Sequence, residues 1–252
     1  MRIRNTLHGL ALMAANTKVF YPDRHFKNKR VAVIGAADSA FEEENGGFID
    51  NFDFIVRVNK APHSLSPDKH KFIGSRTDVL FHSFFESFKD GGGGPIDWKL
   101  YKEQGIRCVI NPHSNLKGLR DHLNFYKRNL NSKTTFLLPP SFYKELKTGF
   151  GDWVPTVGFS SLYTVLSAQC QEVYITGFTF FKTPYADDYR DDLKDVKKND
   201  SFMKKQGFHN PDLELRDFIK KLNEVNKMTK VKMDSALSDI VAHHTQELNG
   251  QR

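Results

Sequence analysis

The sequence has little cysteine and no long hydrophobic segment, and each shortage excludes a class of protein. Cys108 and Cys170 are its only cysteines, and both stand among apolar residues, the ordinary setting of a buried free thiol. They provide neither a disulfide framework nor a thiolate metal site. The longest apolar stretch near the start covers residues 10–15, far fewer than the roughly 20 residues of a membrane-spanning helix. The sequence therefore predicts a soluble protein without a membrane-spanning segment.

Charge is spread along the chain. Lysine and arginine number 37 against 30 acidic residues, which gives a formal charge of +7. Such an excess favours acidic ligands such as nucleotide phosphates, nucleic acid or anionic lipid. The basic residues are dispersed, as on solvated helix faces, and the sequence has no recognition helix or aromatic motif for nucleic acid. We therefore expect no nucleic-acid partner.

Short β-branched or aromatic segments alternate with helical patterns from about residue 30 onward. This alternation is typical of repeated βαβ units, so we predict an α/β fold, a single Rossmann-like domain with a mostly parallel sheet flanked by helices. The predicted strands are residues 30–35, 53–58, 78–82, 107–111, 135–138, 172–176 and 230–233. Apolar spacing predicts helices at residues 39–46, 98–103, 116–126, 141–146, 158–168, 211–226 and 234–244.

Two segments stand apart from this alternation. Residues 1–29 are predicted to be an N-terminal extension, and residues 30–252 the domain. Residues 179–207 are charged and have no periodic apolar face. We therefore predict that they form a mobile lid that becomes ordered over a bound ligand.

Ligands of an open parallel sheet bind beyond the carboxyl ends of its strands. The first predicted strand is followed by small residues that include Gly35, Asp38 and Ser39, a turn that lets the backbone approach a phosphate. The second strand is followed by Asn59 and Lys60. The further glycines of a dinucleotide fingerprint are missing, and the second strand does not end in an acidic residue, which counts against NAD.

Two later segments could also carry chemistry. Thr156, Val157 and Gly158 follow a proline at a predicted helix start, where they could either bind an anion or simply end a loop. His209 precedes Asn210 and a proline, a strong helix start. The positive end of that helix would keep the imidazole neutral, as a general base requires, although a lone histidine beside a cap is often an ordinary surface residue.

Taken in order and spacing, these segments resemble the motifs of glycosyltransferase family 29, the eukaryotic-type sialyltransferases. Residues 31–62 are similar, without a gap, to the large sialylmotif, and residues 155–178 resemble the small sialylmotif. His209 and Glu214, separated by four residues, fit the very small motif. The similarity spans roughly residues 30–219.

The resemblance implies a GT-A-like fold variant and an inverting transfer of sialic acid from a CMP-activated donor to a glycan hydroxyl, with no metal or other cofactor. His209 would be the catalytic base, and Glu214 would support the geometry of the site. The predicted donor-nucleotide residues are Gly35, Asp38, Ser39, Asn59, Thr156, Val157 and Gly158.

The sequence departs from the family pattern at three places. Ala36 stands where the family has an asparagine, which removes a polar contact to the donor. Val31 replaces the cysteine that opens the large motif, so its disulfide with Cys170 cannot form. This absence and the missing membrane anchor favour the cytoplasm or another reducing compartment over the Golgi lumen. The third motif has no clear counterpart; Tyr185 and Tyr189 lie in that interval as candidate supporting residues.

Two alternatives stay open at this point. The same nucleotide pocket could serve transfer of Kdo, another 2-keto acid sugar activated as CMP. The absence of the family's asparagine at position 36 and of the third motif would also fit a relative that binds nucleotide or glycan without catalysis. Sugar specificity would lie at strand ends in the middle region, where the polar candidates are His82, Ser83, Asn111 and His113. The acceptor, the linkage and the oligomeric state are not determined by the sequence.

Overall fold

A computed structural model describes residues 2–87, 92–190, 195, 197, 207–225, 227 and 229–250. Within these residues one sheet of eight strands has the order β1-β6-β5-β4-β3-β2-β7-β8, and every neighbouring pair is parallel. The strands are β1 Thr17–Val19, β2 Arg30–Ile34, β3 Phe54–Val58, β4 Val79–Phe81, β5 Cys108–Asn111, β6 Thr135–Leu137, β7 Glu172–Thr176 and β8 Lys230–Met233.

Helices flank this sheet. The α-helices are α1 Arg2–Asn16, α2 Pro22–Phe26, α3 Gly46–Asp50, α4 Ala61–Ser64, α5 His70–Ile73, α6 Trp98–Glu103, α7 Leu116–Asn129, α8 Pro140–Leu146, α9 Val157–Ser167, α10 Pro211–Glu224 and α11 Ser235–Gly250. Short 3₁₀ helices cover Asp38–Phe41 and Pro67–Lys69. The predicted α/β class is confirmed, and the seven predicted strands correspond to β2 through β8.

The first 29 residues, predicted to be an extension, are built into the domain. Helix α1 packs on α7, and β1 pairs with β6 in the register Thr17 to Thr135. Phe20 and Phe26 are fully buried in the main core. Strand β1 was not predicted because it is an edge strand of three residues that are half-buried or exposed, so it has no apolar segment to mark it.

The central strands bury both of their faces, as parallel strands covered by helices on each side must. In β2, Val31 and Val33 belong to the larger core cluster, whereas Ala32 and Ile34 belong to a second cluster on the opposite face. Strand order reverses beside β2, because β3 lies on one side of it and β7 on the other. The loops after β2 and β7 therefore meet at the switch point where such sheets bind ligands.

Gly35 and Gly177 make this meeting close. A Cβ atom on Gly35 would lie 2.0 Å from the carbonyl oxygen of Gly177, which is backbone and cannot move aside cheaply. Gly177 itself has a φ of +73°, a left-handed conformation that glycine adopts most easily. The glycine at position 35 is thus required by packing between two loops.

We expect Gly35→Ala to lower the free energy of unfolding by about 3 kcal/mol, because the added methyl group forces the two loops apart. For a domain of this size the Tm should fall by roughly 6–12 °C. Gly47→Ala is the matched control, since a Cβ atom there meets nothing within 4 Å and lies in α3. Thermal unfolding of both variants tests this, and equal Tm values would contradict it.

Candidate active site at the carboxyl edge of the sheet

A cavity of about 550 Å³ opens at the carboxyl edge of the sheet. Its walls come from the loops after β2, β3, β4, β5 and β7 and from the starts of α7, α9 and α10. Ten residues singled out in the sequence line it, namely Asn59, Ser83, His113, Thr156, Val157, Gly158, Tyr185, Tyr189, His209 and Glu214. Residues up to 155 positions apart, from Asn59 to Glu214, thus converge on one space.

Three of the predicted donor residues do not line this cavity. Gly35 serves the packing described above. The carboxylate of Asp38 accepts a hydrogen bond from Thr183 Oγ1 at 2.7 Å, and Ser39 is buried with its Oγ 3.3 Å from Asp234 Oδ2. The predicted helix at residues 39–46 is instead a short 3₁₀ helix over Asp38–Phe41, and neither polar side chain is among the residues that line the cavity.

His209 is held in one tautomer. Its Nδ1 lies 2.6 Å from the carbonyl oxygen of Val154. A carbonyl only accepts hydrogen bonds, so Nδ1 carries the proton and Nε2 keeps its lone pair. Burial lowers the pKa of His209 below its usual value. The ring is therefore neutral near pH 7 and has one nitrogen able to accept a proton.

The start of α10, which carries His209, is a capped helix end, as predicted. Asn210 Oδ1 accepts a hydrogen bond from the amide of Leu213 at 3.1 Å, and Pro211 occupies the first turn. This cap fixes the backbone on which His209 is carried. It also places the ring at the positive end of the helix dipole, which disfavours the imidazolium form.

Glu214 joins α10 to the start of α9. One of its oxygens accepts from the Thr156 amide at 2.6 Å, and the other accepts from Thr156 Oγ1 at 2.8 Å. Thr156 Oγ1 in turn caps α9 by accepting from the Phe159 amide at 3.0 Å. Burial raises the pKa of Glu214 to about 8. This clasp fixes the start of α9, where Val157 and Gly158 line the cavity and the first-turn amides have no partner within the helix.

Asn59 and two tyrosines form the wall on the side of β3. Asn59 has a φ of 48° and accepts a hydrogen bond at Oδ1 from the Ser83 amide at 3.2 Å. The rings of Tyr185 and Tyr189 stack at 5.6 Å, and Lys60 Nζ lies 5.4 Å from the Tyr189 ring. Burial raises the pKa of Tyr189. This wall offers aromatic faces and amide groups to a ligand.

The candidate specificity residues divide into two groups. His82 lies away from the cavity; its Nε2 donates to the Gly93 carbonyl at 2.9 Å, and its Nδ1 accepts from the Phe84 amide at 2.9 Å. Asn111 donates to the Gly118 carbonyl at 3.0 Å and also lies outside the lining. Both are fixed within the protein itself.

Ser83 and His113 do reach the cavity. His113 Nε2 donates to the carbonyl of Pro155 at 3.0 Å, the residue just before the α9 cap. Burial lowers the pKa of His113 to about 4, so this ring is neutral as well. Two neutral histidines therefore face the same part of the cavity.

Several lining residues were not predicted. They include Phe85, Asn115, Lys117, Arg190 and Phe208. Lys117 Nζ lies 4.4 Å from the ring centroid of Phe208, which is half exposed at the cavity mouth. Asn115 caps α7 by accepting from the Gly118 amide at 2.8 Å. Asn115 could have been predicted as a cap, because it stands between a predicted strand and a predicted helix. The sequence gives no such signal for the other four residues.

The mobile lid over residues 179–207 stays a prediction. Among the described residues of this segment, 179–190 contact the domain, since the Ala186 amide donates to the Ala36 carbonyl at 2.9 Å and Phe180 packs on Phe218. Four aromatic residues in this stretch supply contacts that its charged composition concealed. Most of the remaining predicted lid, residues 191–194, 196 and 198–206, lies outside the described residues.

The described residues contain neither a candidate metal site nor a candidate membrane-spanning helix. Within the described part of the chain, no three His, Cys, Asp or Glu side chains converge as a metal site would require. No helix among the described residues has the length and apolar character needed to cross a membrane. Cys108 and Cys170 are both free thiols.

Comparisons with known proteins agree on one family. The chain shares its fold with a mammalian sialyltransferase crystallised with Gal-beta-1-3GalNAc-ortho-nitrophenol, at a TM-score of 0.56 and 19% identity over 91% of this chain and 79% of that one. A second mammalian sialyltransferase structure gives a TM-score of 0.55 and 18% identity over 91% and 78%. No curated protein sequence matches. The family model for glycosyltransferase family 29 (sialyltransferase) matches residues 3–227, so the chain belongs to this family of glycosyltransferases.

Proposed function

We propose that this glycosyltransferase transfers sialic acid from a CMP-activated donor to a hydroxyl of a glycan acceptor, with inversion at the anomeric carbon. Beside family membership, one observation carries the proposal. His209 is neutral, its Nδ1 is fixed on the Val154 carbonyl, and the residue lines the cavity. A nitrogen lone pair held in this way is what a general base for hydroxyl attack requires.

In the proposed reaction, His209 Nε2 accepts the proton of the acceptor hydroxyl as its oxygen attacks the anomeric carbon. The bond between that carbon and the phosphate oxygen breaks, and CMP leaves with the electron pair. The amides of Val157 and Gly158, at the start of α9, are positioned to stabilise the negative charge of the leaving phosphate.

We also propose that the reaction needs no metal ion. A CMP leaving group carries a single phosphodiester charge, which helix-end amides and hydroxyl groups can stabilise. The nucleotide would lie against Asn59 and the stacked rings of Tyr185 and Tyr189. Ala36 also lines the cavity and leaves this part of it without the family's polar contact.

Nucleotide preference is the first test. CMP at about 100 times its Kd should stabilise the folded protein by about 2.7 kcal/mol and raise the Tm by roughly 5–10 °C, because only the folded state binds. The measurement compares CMP, CDP, UDP, GDP and NAD, each with and without EDTA. A selective rise with UDP or NAD, or a CMP effect abolished by EDTA, would contradict the proposal.

Turnover separates the alternatives for donor and catalysis. CMP-sialic acid and CMP-Kdo are offered in parallel, with the Gal-beta-1-3GalNAc disaccharide of the mammalian complex as a first acceptor. Selective turnover of CMP-Kdo would replace the proposed sugar and keep the mechanism. CMP binding without turnover of either donor across a panel of acceptors would favour the non-catalytic relative.

A further inference from the structure

Lys69 is a buried lysine whose hydrogen-bonding capacity is fully used. Its side chain is 10% exposed. Nζ donates to the Ser64 carbonyl at 3.1 Å, to the Asp187 carbonyl at 3.0 Å and to Asp188 Oδ2 at 2.9 Å. An ammonium group has three N–H donors, and these three acceptors match them.

The three acceptors belong to two separate parts of the fold. Ser64 ends helix α4, which follows β3. Asp187 and Asp188 belong to residues 183–190, here called the wall segment, which carries the cavity residues Tyr185, Tyr189 and Arg190. Lys69 therefore ties one wall of the cavity to the helix behind it.

The other end of the wall segment is held on the loop after β2, where Thr183 Oγ1 donates to Asp38 Oδ1 at 2.7 Å. The Ala186 amide donates to the Ala36 carbonyl at 2.9 Å, and the Asp38 amide donates to the Pro184 carbonyl at 3.2 Å. Beyond these bonds the chain turns at Asp188, whose φ of 65° is a left-handed conformation that non-glycine residues adopt only when neighbouring contacts enforce it. Lys69 bonds to this turn.

We propose that Lys69 is a positioning residue for donor binding, which holds the wall segment in the conformation that presents Tyr185, Tyr189 and Arg190 to the nucleotide. This inference rests on the proposed function, because it assigns the occupant of the cavity as a CMP donor. Lys69 does not line the cavity itself and acts through the segment that it binds.

The contacts predict a local effect when Lys69 is replaced by methionine. Methionine keeps much of the apolar stem but leaves the Ser64 and Asp187 carbonyls without this donor, which favours their hydration and outward movement of the turn. No buried charge is left behind, because the Asp188 side chain is 72% exposed. The fold should therefore survive while the wall segment loosens.

The experiment compares Lys69→Met with Lys71→Met. Lys71 lies two residues away, and its ion pair with Glu44 is on the surface, with side chains 57% and 62% exposed. Lys69→Met should raise the Kd for CMP about tenfold, as expected if the binding-competent wall is populated about a tenth of the time. At saturating donor, kcat should stay within about twofold, because bound donor restores the wall.

Hydrogen exchange of the ligand-free proteins provides a direct readout. Lys69→Met should lose protection in peptides covering residues 183–190, whereas Lys71→Met should retain it. Asp188→Asn neutralises the exposed carboxylate of the ion pair but keeps a side-chain oxygen that can accept from Lys69, so the CMP Kd should stay within about twofold. These readouts distinguish positioning from general destabilisation, which would lower protection throughout the domain and reduce kcat.

Two results would overturn the inference. One is unchanged protection of residues 183–190 in Lys69→Met, and the other is an unchanged CMP Kd in that variant when the wild-type protein binds CMP. A wild-type protein that fails to bind CMP would overturn the proposed function together with the role of Lys69 in donor binding. The exchange comparison would then still show whether Lys69 holds the segment.

Discussion

Replacing His209 with alanine is expected to lower kcat by roughly 10²–10⁴-fold and to leave the Kd for CMP nearly unchanged. The imidazole is the group fixed by Val154 with a lone pair available for the acceptor proton, whereas the nucleotide is expected to lie against other residues. Steady-state kinetics and calorimetric titration with CMP measure the two effects. His8→Ala, an exposed histidine on α1, is the matched control.

The pH profile adds a second readout for His209. Burial lowers its pKa below 6.5, so the neutral base predominates at pH 7 and is lost as the pH falls through the lowered pKa. Wild-type kcat/KM should therefore rise with pH on the acid side and then level off. Full turnover by His209→Ala would contradict the assignment of His209 as the base. Loss of CMP binding in that variant would mean that the lower kcat comes from a disturbed structure and not from the missing base.

Replacing Glu214 with alanine is expected to lower the free energy of unfolding by about 3–5 kcal/mol, because two buried donors of Thr156 lose their acceptor. The start of α9 should then move, and turnover should fall with it. Glu214→Gln keeps the shape of the side chain and should retain most of the stability near pH 5. Glu103→Gln, at an exposed position of α6, is the control. Denaturant unfolding measures all three variants.

The sign of the pH effect follows from the raised pKa of Glu214, about 8 in the folded protein. Its unfolded value is about 4.3, so the folded state binds the proton more tightly. The resulting stabilisation is complete below the unfolded pKa and is lost as the pH rises through about 8. Glu214→Gln should match the wild type near pH 5 and exceed it in stability near pH 8. An equal difference at both pH values would contradict this.

The lowered pKa values of the buried histidines make the stability depend on pH in the opposite direction. The pKa of His113 is lowered to about 4, so the stability from its neutral form is present above 6.5 and is lost as the pH falls through about 4. Comparison of Glu214→Gln with the wild type at each pH removes this shared contribution.

How much of the fold the sequence predicts depends on how strongly each element is marked by apolar residues. The strands β2 to β8 were found, including the three-residue strands β4 and β6, whereas the edge strand β1, which is half-buried or exposed throughout, was not. Helix starts marked by Asn210 and Thr156 were also predicted, because a cap is a local signal. Contacts between residues that are distant in the chain have no such local signal in the sequence. The acceptor for Ser39 is Asp234, which lies 195 positions away, between β8 and α11.

The same distinction applies to the site. The resemblance to the family's motifs indicated His209 and Glu214, but not the groups that define their chemistry, the Val154 carbonyl and the Thr156 donors. Gly35 was expected to admit a phosphate, and the structure places it against Gly177. The packing of residues 179–190 was not visible in this charged stretch, because its partners lie far away in the chain, on the loop after β2 and on α10. Side-chain direction after a turn was the information that the sequence did not contain.

The all-parallel sheet has a consequence for how the protein folds. No two neighbouring strands can be joined by a tight hairpin, so every pairing closes a long loop of chain. The pair β2 and β7 brings Arg30 beside Glu172, 142 positions apart in the sequence. The loops that follow these two strands meet, and both line the cavity. During synthesis, the chain therefore lacks a complete cavity until β7 has been made and has paired with β2. A donor molecule can bind, and so stabilise, only the completed sheet.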